Sequence, residues 1–597
     1  MPQAHPEAEP IQVEVRPLDL AQHEIQVTLL LPSGALAQGA VLQLPAWTPG
    51  SYLIRDYARF LDRLTVVDGD GRPLAVEKLD KQRWRLDAAP GPVTVSYRLF
   101  CNDLTVRTNH VDAGHAHLVG AASFLYLDEP APRPYRVAFT GWPRDWRVAT
   151  ALPEEDGAYL AVDHDTLVDS PFELGAFRMH RFSHGGCEFH FAVTGAHAGD
   201  EARILAGTQA VVAAAAGIFG GLPFSRYLFL LTFSPGSRGG LEHRDCTSLL
   251  ADPQQMERAE GYWDLFTLIA HEFFHVWNVK RLRDPALGPF DYQRETPTRL
   301  LWFHEGFTSF MQYVIVLRAG AAPWSWVAKH LAGSWSENTT RAGLQEQSLE
   351  EASFDAWIRH YKPTEFSPNS TVSYYDKGAM VAWMMDAELR LGGHGLDQLF
   401  ALLWGRFGDG PVTDADLRAA YGELSGQDPG PFWNAYLQGR AALDPRSIER
   451  AYGLKFTAKA PWELLGGDAE DPDAVRRARV YSGLAFAGDA PTASNVFPGS
   501  PAARAGLSYG MAILAVNGWR TVSASEVQRR LGDRAPGEPV EILAVDRGRV
   551  QTFTLTLEEH PHRTIQLGPD PRATPDQREA FLAWTGQPFP SAPKARP

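Results

Sequence analysis

The sequence predicts a multidomain α+β protein, because its length exceeds one core and its hydrophobic pattern changes along the chain. With 597 residues, the chain is expected to form three or four domains at roughly 150 residues each. We expect an antiparallel β-domain over residues 9–180, a mainly helical domain over 181–460 and a compact β-rich module over 475–560. Residues 561–597 are rich in Pro and Arg and hold too little apolar sequence for another core, so we predict a tail.

Alternating apolar and polar residues predict the strands of the first and third domains. Residues 24–31 and 93–100 have the period of two expected of half-buried strands, and Asp68-Gly-Asp-Gly is typical of a turn. In the C-terminal module, the runs 540–545 and 553–557 read as strands that accompany a helical stretch at 523–531. Both regions are therefore predicted to be β-rich.

Between residues 200 and 455 the hydrophobic period lengthens towards 3.6, which favours helices with one apolar face. Three stretches carry this pattern most clearly, namely residues 261–283, 299–318 and 378–391.

Charge and cysteine content exclude several functional classes. The formal net charge is −15, from 71 acidic and 56 basic residues, and this balance argues against a nucleic-acid partner. Cys101, Cys187 and Cys246 are too scattered for a disulfide framework or a cysteine zinc cluster. Any metal site is therefore expected to use histidine and carboxylate ligands.

Two features bear on location. Met1-Pro-Gln-Ala-His-Pro-Glu lacks the basic start and apolar core of a signal peptide, so we expect a cytoplasmic protein. Residues 204–224 are weakly polar, but they contain Thr208 and Gln209 and end at Pro223. We interpret them as a packed helix of a folded domain rather than a membrane span, so no membrane partner is expected.

The chemistry-bearing motif is His271-Glu272-Phe273-Phe274-His275. Residues four apart on a helix share a face, so both imidazoles can reach one zinc ion. Glu272 then lies beside the metal site as a candidate general base. A buried helix with two hydrogen-bonded histidines is the alternative interpretation.

A catalytic zinc site needs a third protein ligand, which the next amphipathic segment offers. Leu301-Trp-Phe-His-Glu-Gly-Phe-Thr contains Glu305 in an otherwise apolar stretch, after a loop long enough for a returning antiparallel helix. His304 is the competing ligand. Adjacent side chains on a helix diverge by about 100°, so at most one of the two faces the metal.

Together, these motifs resemble the gluzincin metallopeptidases, specifically the glycyl aminopeptidase family with a C-terminal PDZ domain. The resemblance extends to Gly239-Gly-Leu-Glu-His, to Val276-Trp-Asn-Val-Lys-Arg after the zinc motif and to Phe290-Asp-Tyr before the third ligand. Trp47-Thr-Pro-Gly-Ser-Tyr-Leu-Ile-Arg-Asp-Tyr in the first domain adds to it. It implies a β-sandwich-like N-terminal domain, a thermolysin-like zinc peptidase domain and a PDZ domain.

The resemblance also implies roles for individual residues. Glu242 corresponds to the carboxylate that holds the substrate α-ammonium, with Gly239 and Gly240 beside it in the substrate site. Tyr375 corresponds to the tyrosine that donates to the oxyanion, with Tyr374 as the alternative. In the PDZ-like module, the same resemblance assigns the binding of a peptide carboxylate to a loop of Gly483, Leu484, Ala485 and Phe486.

The sequence therefore predicts an aminopeptidase with one zinc ion per chain, held by His271, His275 and Glu305. The family resemblance implies peptide substrates with small N-terminal residues, Gly or Ala, and a C-terminal peptide as ligand of the PDZ domain. Two alternatives stay open: an endopeptidase on the same zinc site, and a non-catalytic scaffold that binds peptides through the PDZ domain.

Overall fold

The computed structural model describes residues 9–128, 133–465 and 472–591. They form two compact units. Among these described residues, the first unit comprises 9–298, Met311–Ala322 and Asp397–Leu417, and the second comprises Arg299–Phe310, Pro323–Leu396 and 418–591.

The first unit begins with the predicted β-domain, whose three sheets share one hydrophobic core. The expected strands at residues 24–31 and 93–100 are present with those bounds and pair antiparallel. One neighbouring pair, Ile11–Asp19 with Tyr135–Phe139, is parallel, so the domain is not purely antiparallel. The seven-stranded sheet has the order Glu154–Glu155, Ala158–Ala161, Tyr135–Phe139, Ile11–Asp19, Glu24–Leu31, Val93–Phe100 and Leu61–Asp68. The first four-stranded sheet has the order Tyr126–Leu127, Ala40–Gln43, Arg83–Leu86 and Val76–Lys78. The second has the order Arg147–Ala149, Phe172–Gly175, His115–Leu118 and His110–Val111.

A mixed five-stranded sheet follows, so the region predicted to be mainly helical from residue 181 begins with strands. Continuous apolar runs such as Arg226–Phe233 are buried on both faces, which is why they lack an alternating pattern. The strand order is Arg178–His184, Cys187–Thr194, Arg226–Phe233, Cys246–Ala251 and Gly239–Glu242. Helical segments that lie in or reach into this unit are Tyr57–Phe60, Gly120–Ser123, His164–Val168, Glu201–Phe219, Pro253–Glu257, Ala259–Phe274, Pro285–Leu287, Thr308–Arg318, Leu396–Phe407 and Asp414–Ser425.

Among the described residues, Glu201–Phe219 is the one helix whose length and composition would suffice to cross a membrane. It packs against the helix Ala259–Phe274, and the Phe219 ring stacks on Trp277 at a centroid distance of 4.3 Å. The helix ends before the predicted residue 224 because Gly220, with φ 74°, forms a left-handed C-cap.

The second unit is mainly helical. Its predicted stretch 378–391 lies within the helix Asp376–Leu391, which packs against Arg446–Tyr452, Trp324–Thr340 and Trp302–Phe307. The remaining helical segments before the C-terminal module are Ala342–Gln345, Leu349–Phe354, Ala356–His360, Ser367–Ser370, Gly430–Phe432, Trp433–Leu437 and Pro461–Leu464.

The C-terminal module has a hydrophobic core of its own. Its predicted helix occupies Ala524–Leu531, and Ser523 caps it by accepting a hydrogen bond from the Glu526 N–H. The other helices are Pro472–Arg479 and Pro501–Ala505. Two pairs of strands are Val480–Tyr481 with Glu558–Glu559 and Leu484–Phe486 with Ala493–Val496. A four-stranded sheet has the order Trp519–Arg520, Ala512–Val516, Pro539–Asp546 and Arg549–Thr556.

The prediction that residues 561–597 form a tail is wrong for most of this segment. The strand Thr564–Pro569 pairs antiparallel with Leu454–Lys459, and a helix follows at Pro575–Thr585. The helix buries two aromatic side chains, Phe581 and Trp584, at 0% and 1% exposure. Sequence composition missed this because two large aromatic rings suffice to anchor a short helix to an existing core.

Candidate active site

The first unit holds the zinc motif at the C-terminal end of the helix Ala259–Phe274. His271 lies in its last turn and His275 is its C-cap, so the helix is shorter than the predicted stretch 261–283. The chain turns away here because the Lys280 N–H donates to the His275 carbonyl at 3.0 Å. The buried apolar face of the helix fixes the side that carries the motif.

Both motif histidines have Nδ1 engaged in a hydrogen bond. His271 Nδ1 lies 3.0 Å from Oε1 of Gln312, and His275 Nδ1 lies 2.7 Å from the carbonyl oxygen of Asn278. Such bonds fix the ring orientation and leave Nε2 as the nitrogen that each ring offers to a metal. This donor chemistry fits zinc, whose histidine ligands are usually held by a second partner in this way.

Glu272 is buried and packs against the backbone of Gly240. A β-carbon at Gly240 would lie 2.0 Å from Oε1 of Glu272, much closer than van der Waals contact. Gly240 belongs to the edge strand Gly239–Glu242, which pairs with Cys246–Ala251. A glycine at this position therefore makes room for the predicted general base.

Glu242 lies beside Glu272 and His275. One ligand atom from each of Glu242, Glu272 and His275 lies within 4.8 Å of the other two, and all three side chains are buried. The loop around Gly50 covers Glu242, since a β-carbon at Gly50 would lie 2.6 Å from both carboxylate oxygens. Two buried carboxylates this close repel each other, so a bound cation is favoured here.

A partly buried carboxylate, Asp169, connects the two segments that carry these groups. Its Oδ1 lies 3.1 Å from Nδ1 of His243, next to Glu242, and accepts from Lys280 Nζ at 2.6 Å. Burial alone would raise the pKa of Asp169, but Lys280 and His243 hold it well below the usual range. The charged network fixes the strand end relative to the turn after His275.

In the second unit, Glu305 lies in the π-helical turn Trp302–Phe307, at 2% exposure. This turn crosses the helix Asp376–Leu391 at two glycines, because a β-carbon at Gly306 would lie 2.7 Å from Cα of Gly378. The close crossing brings Glu305 near the residue that precedes this helix, Tyr375. A π-turn is a local widening of the helix that is frequent at functional sites.

Tyr375 is half-buried, and burial together with the charge of Glu305 raises its pKa well above the ordinary value. The phenol therefore keeps its proton and can donate a hydrogen bond. Tyr374 is fully buried, and its ring stacks on that of Tyr375 at 4.8 Å. His304 is fully buried too. Of His304 and Glu305, Glu305 is the better candidate ligand, because its charge acts on Tyr375, the predicted oxyanion donor.

The predicted carboxylate-binding loop of the C-terminal module is mostly a strand. Gly483, with φ 82°, forms the turn and packs against Ser500, whereas Leu484–Phe486 pairs with Ala493–Val496. The other edge of Leu484–Phe486 has no partner strand among the described residues. The assignment as a PDZ domain stays a prediction.

Several residues around these groups escaped the sequence analysis. Gln312 and Asp169 act through contacts between residues far apart in the chain, which no local motif indicates. Asn278 lies in the quoted segment after the zinc motif, but its role depends on the backbone carbonyl and not on its side chain. His360 lies beside Tyr375, with ring centroids 5.5 Å apart. Burial lowers its pKa, and the charge of Glu305 opposes that shift in part. A histidine within an apolar helix gives no signal of this kind by itself.

Known proteins similar to this chain include one close structural relative. An aminopeptidase N family protein from Idiomarina loihiensis, known from its crystal structure, is 29% identical, with a TM-score of 0.88 over 96% of this chain and 100% of that chain. An M1 zinc metallopeptidase from Deinococcus radiodurans is 14% identical over 73% of this chain and 96% of that chain, with a TM-score of 0.45. The second likeness is too weak to support an inference. No curated protein shows significant sequence similarity to the chain.

Two family models match the chain in the regions described above. The peptidase M61 N-terminal domain matches residues 12–176, which is the β-domain of the first unit. The M61 glycyl aminopeptidase model matches residues 264–381, a range that includes His271, His275, Glu305 and Tyr375. The two matches cover the β-domain and the residues of the candidate site, and the protein is a peptidase similar to the M61 glycyl aminopeptidases.

Proposed function

We propose that the protein is a zinc-dependent aminopeptidase that removes small N-terminal residues, Gly or Ala, from peptides. The observation that carries this proposal is the position of Glu242, whose carboxylate lies within 4.8 Å of Glu272 and His275. An anionic group beside the reacting centre suits a substrate whose α-ammonium precedes the scissile bond by one residue.

The proposed zinc ligands are His271, His275 and Glu305, with one ion at this site. A hydrogen bond at Nδ1 orients the ring of each histidine and leaves its Nε2 for the metal. Glu305 precedes Gln312, the partner of His271, by about two turns of one continuous helical segment. This spacing supports a position of both side chains on the same face of that segment. A zinc ion bound there would polarise a peptide carbonyl and lower the pKa of a water molecule to near neutral.

The chain itself supplies the proton transfers. Glu272 takes a proton from the attacking water and delivers it to the leaving amine, because its carboxylate is buried beside the motif histidines. Tyr375, which stays protonated, donates a hydrogen bond to the oxygen that becomes negative in the tetrahedral intermediate.

Glu242 would pair with the substrate ammonium and set the distance to the first peptide bond. A charge-assisted contact of this kind contributes about 1.5 to 3 kcal/mol. In Glu242→Gln the contact loses its charge while the shape is preserved. We therefore expect a rise in KM of roughly tenfold or more for free-amine substrates.

The test compares glycyl and alanyl amides with their N-acetylated counterparts in the wild type, in Glu242→Gln and in Glu188→Gln as a control. Glu188 is a suitable control because 70% of its side chain is exposed. The proposal predicts poor cleavage of acetylated substrates and a loss in Glu242→Gln that is confined to free amines. Equal cleavage of both substrate kinds by the wild type would instead establish an endopeptidase.

A comparison of glycyl, alanyl, leucyl and phenylalanyl amides tests the proposed preference for small residues. We expect kcat/KM to fall as the side chain grows. A maximum for leucyl or phenylalanyl amides would contradict this part of the proposal and leave the aminopeptidase assignment intact.

A further inference from the structure

A second group of potential metal ligands lies in the N-terminal β-domain, on the hairpin formed by His110–Val111 and His115–Leu118. His110, Asp112 and His115 each offer one ligand atom, and these atoms lie within 4.8 Å of one another. The spacing His-x-Asp-x-x-His spans the tight turn of the hairpin, so six consecutive residues supply three potential metal ligands. The proposed peptidase mechanism uses none of them.

The Asp112 carboxylate is fixed by the turn itself. Its Oδ1 accepts hydrogen bonds from the backbone N–H groups of Gly114 and His115, at 2.6 and 2.9 Å. Its Oδ2 lies 3.1 Å from Nε2 of His110. Two ligand atoms around a tetrahedral zinc ion are separated by about 3.3 Å, given metal–ligand distances of roughly 2.0 to 2.1 Å. The His110–Asp112 pair already has this separation.

The His115 ring is oriented by a buried carboxylate on the neighbouring strand. Nδ1 of His115 lies 2.9 Å from Oε1 of Glu173, whose side chain is 1% exposed. Burial would raise the pKa of Glu173, but hydrogen bonds from His115 and His117 hold it at about 2. The carboxylate–histidine contact fixes the tautomer with the proton on Nδ1, which leaves Nε2 as the ligand nitrogen.

The donor chemistry of the cluster fits a metal ion. His110 is 9% exposed, and its Nδ1 has no hydrogen-bond partner among the described residues, so its ring is held only through Nε2. Two imidazoles, one carboxylate and a carboxylate that orients one imidazole form a donor set that suits zinc.

From this geometry we propose that His110, Asp112 and His115 bind a second divalent metal ion, Zn²⁺, with Glu173 as a positioning residue. Three protein ligands leave the fourth position of the ion to water.

The experiment counts tightly bound zinc in the full-length protein. The protein is stripped with a chelator, reloaded with Zn²⁺, dialysed against metal-free buffer and analysed by mass spectrometry, and peptidase activity is measured in parallel. The variants are His115→Ala, Asp112→Asn and His271→Ala. His190→Ala serves as the control, since His190 lies on the strand Cys187–Thr194 outside the cluster.

We expect two zinc ions in the wild type and in His190→Ala. His115→Ala and Asp112→Asn should hold one ion and keep their activity, whereas His271→Ala should hold one ion and lose activity. The two sites are thereby counted separately, so a failed catalytic assignment does not hide the second ion. The proposal is overturned if His271→Ala holds no zinc ion, or if both cluster variants hold as many ions as the wild type.

A second readout guards against variants that fold poorly. Glu173→Gln keeps all three ligands and weakens only the orientation of His115, so its zinc affinity should fall by about 10- to 100-fold. In the His271→Ala background, added Zn²⁺ should raise the melting temperature, and His115→Ala should abolish that rise. An unchanged affinity in Glu173→Gln would contradict its positioning role.

Discussion

Gly240 leaves no room for a side chain next to Glu272, because a β-carbon there would lie 2.0 Å from the carboxylate oxygen. Gly240→Ala is therefore expected to displace the carboxylate of Glu272 and to lower kcat at least tenfold. The zinc content should stay unchanged, because the substituted residue contacts the base and not the histidines.

Gly239→Ala is the matched control for this substitution. The nearest side-chain atom to a β-carbon at Gly239 is Cγ2 of Val106, at 3.8 Å, which is ordinary contact. The two glycines are adjacent on one strand, so the backbone cost is similar. Equal losses of kcat in both variants would show that the effect comes from the strand rather than from Glu272.

Glu272→Gln should keep the metal and lose nearly all turnover. Glutamine preserves the shape of the side chain but cannot accept the proton of the attacking water. Zinc content and steady-state turnover of a glycyl amide check this prediction. Activity close to that of the wild type would reject Glu272 as the general base.

Tyr375→Phe should lower kcat with little change in KM. The loss corresponds to about 2 to 4 kcal/mol if the phenol donates to the oxyanion. Tyr374→Phe is the control, because the Tyr374 ring stacks on Tyr375 but is fully buried. If Tyr374→Phe shows the larger loss of kcat, Tyr374 is the oxyanion donor.

The C-terminal module is inserted between two strands that pair with each other. Lys459 and Thr564 are directly paired at the ends of Leu454–Lys459 and Thr564–Pro569. Replacement of residues 461–562 by a short turn should therefore leave a soluble, folded peptidase, since the module has its own core. Asn369 and Asn495, which exchange hydrogen bonds at 2.8 and 3.2 Å, would lose that contact.

Truncation at residue 460 is the informative contrast. It removes Thr564–Pro569 and the buried Trp584 as well, and loss of a buried tryptophan side chain alone costs about 3 to 5 kcal/mol. We expect this truncated chain to be far less stable to urea than the excision variant. Equal stability of the two would mean that the final helix contributes little to the second unit.

The succession of domains and the centre of the chemistry could be predicted from local pattern. Strands such as Glu24–Leu31 follow from alternation, because one of their faces is buried and the other is not. His271, Glu272 and His275 follow from helical spacing, because the ligand geometry is contained in a single turn. The five-stranded sheet escaped because buried strands such as Arg226–Phe233 do not alternate.

The sequence by itself thus determined a multidomain chain with a zinc motif, a third candidate ligand and a self-contained C-terminal module. Only the tertiary structure decided that the absence of a side chain at Gly240 leaves room for Glu272 and that Gln312 orients His271. It also decided that the segment after residue 561 contains a packed helix. Each of these depends on contacts between residues far apart in the chain. Local pattern reports the periodicity of one element, whereas packing and hydrogen bonding between elements depend on where the whole chain places them.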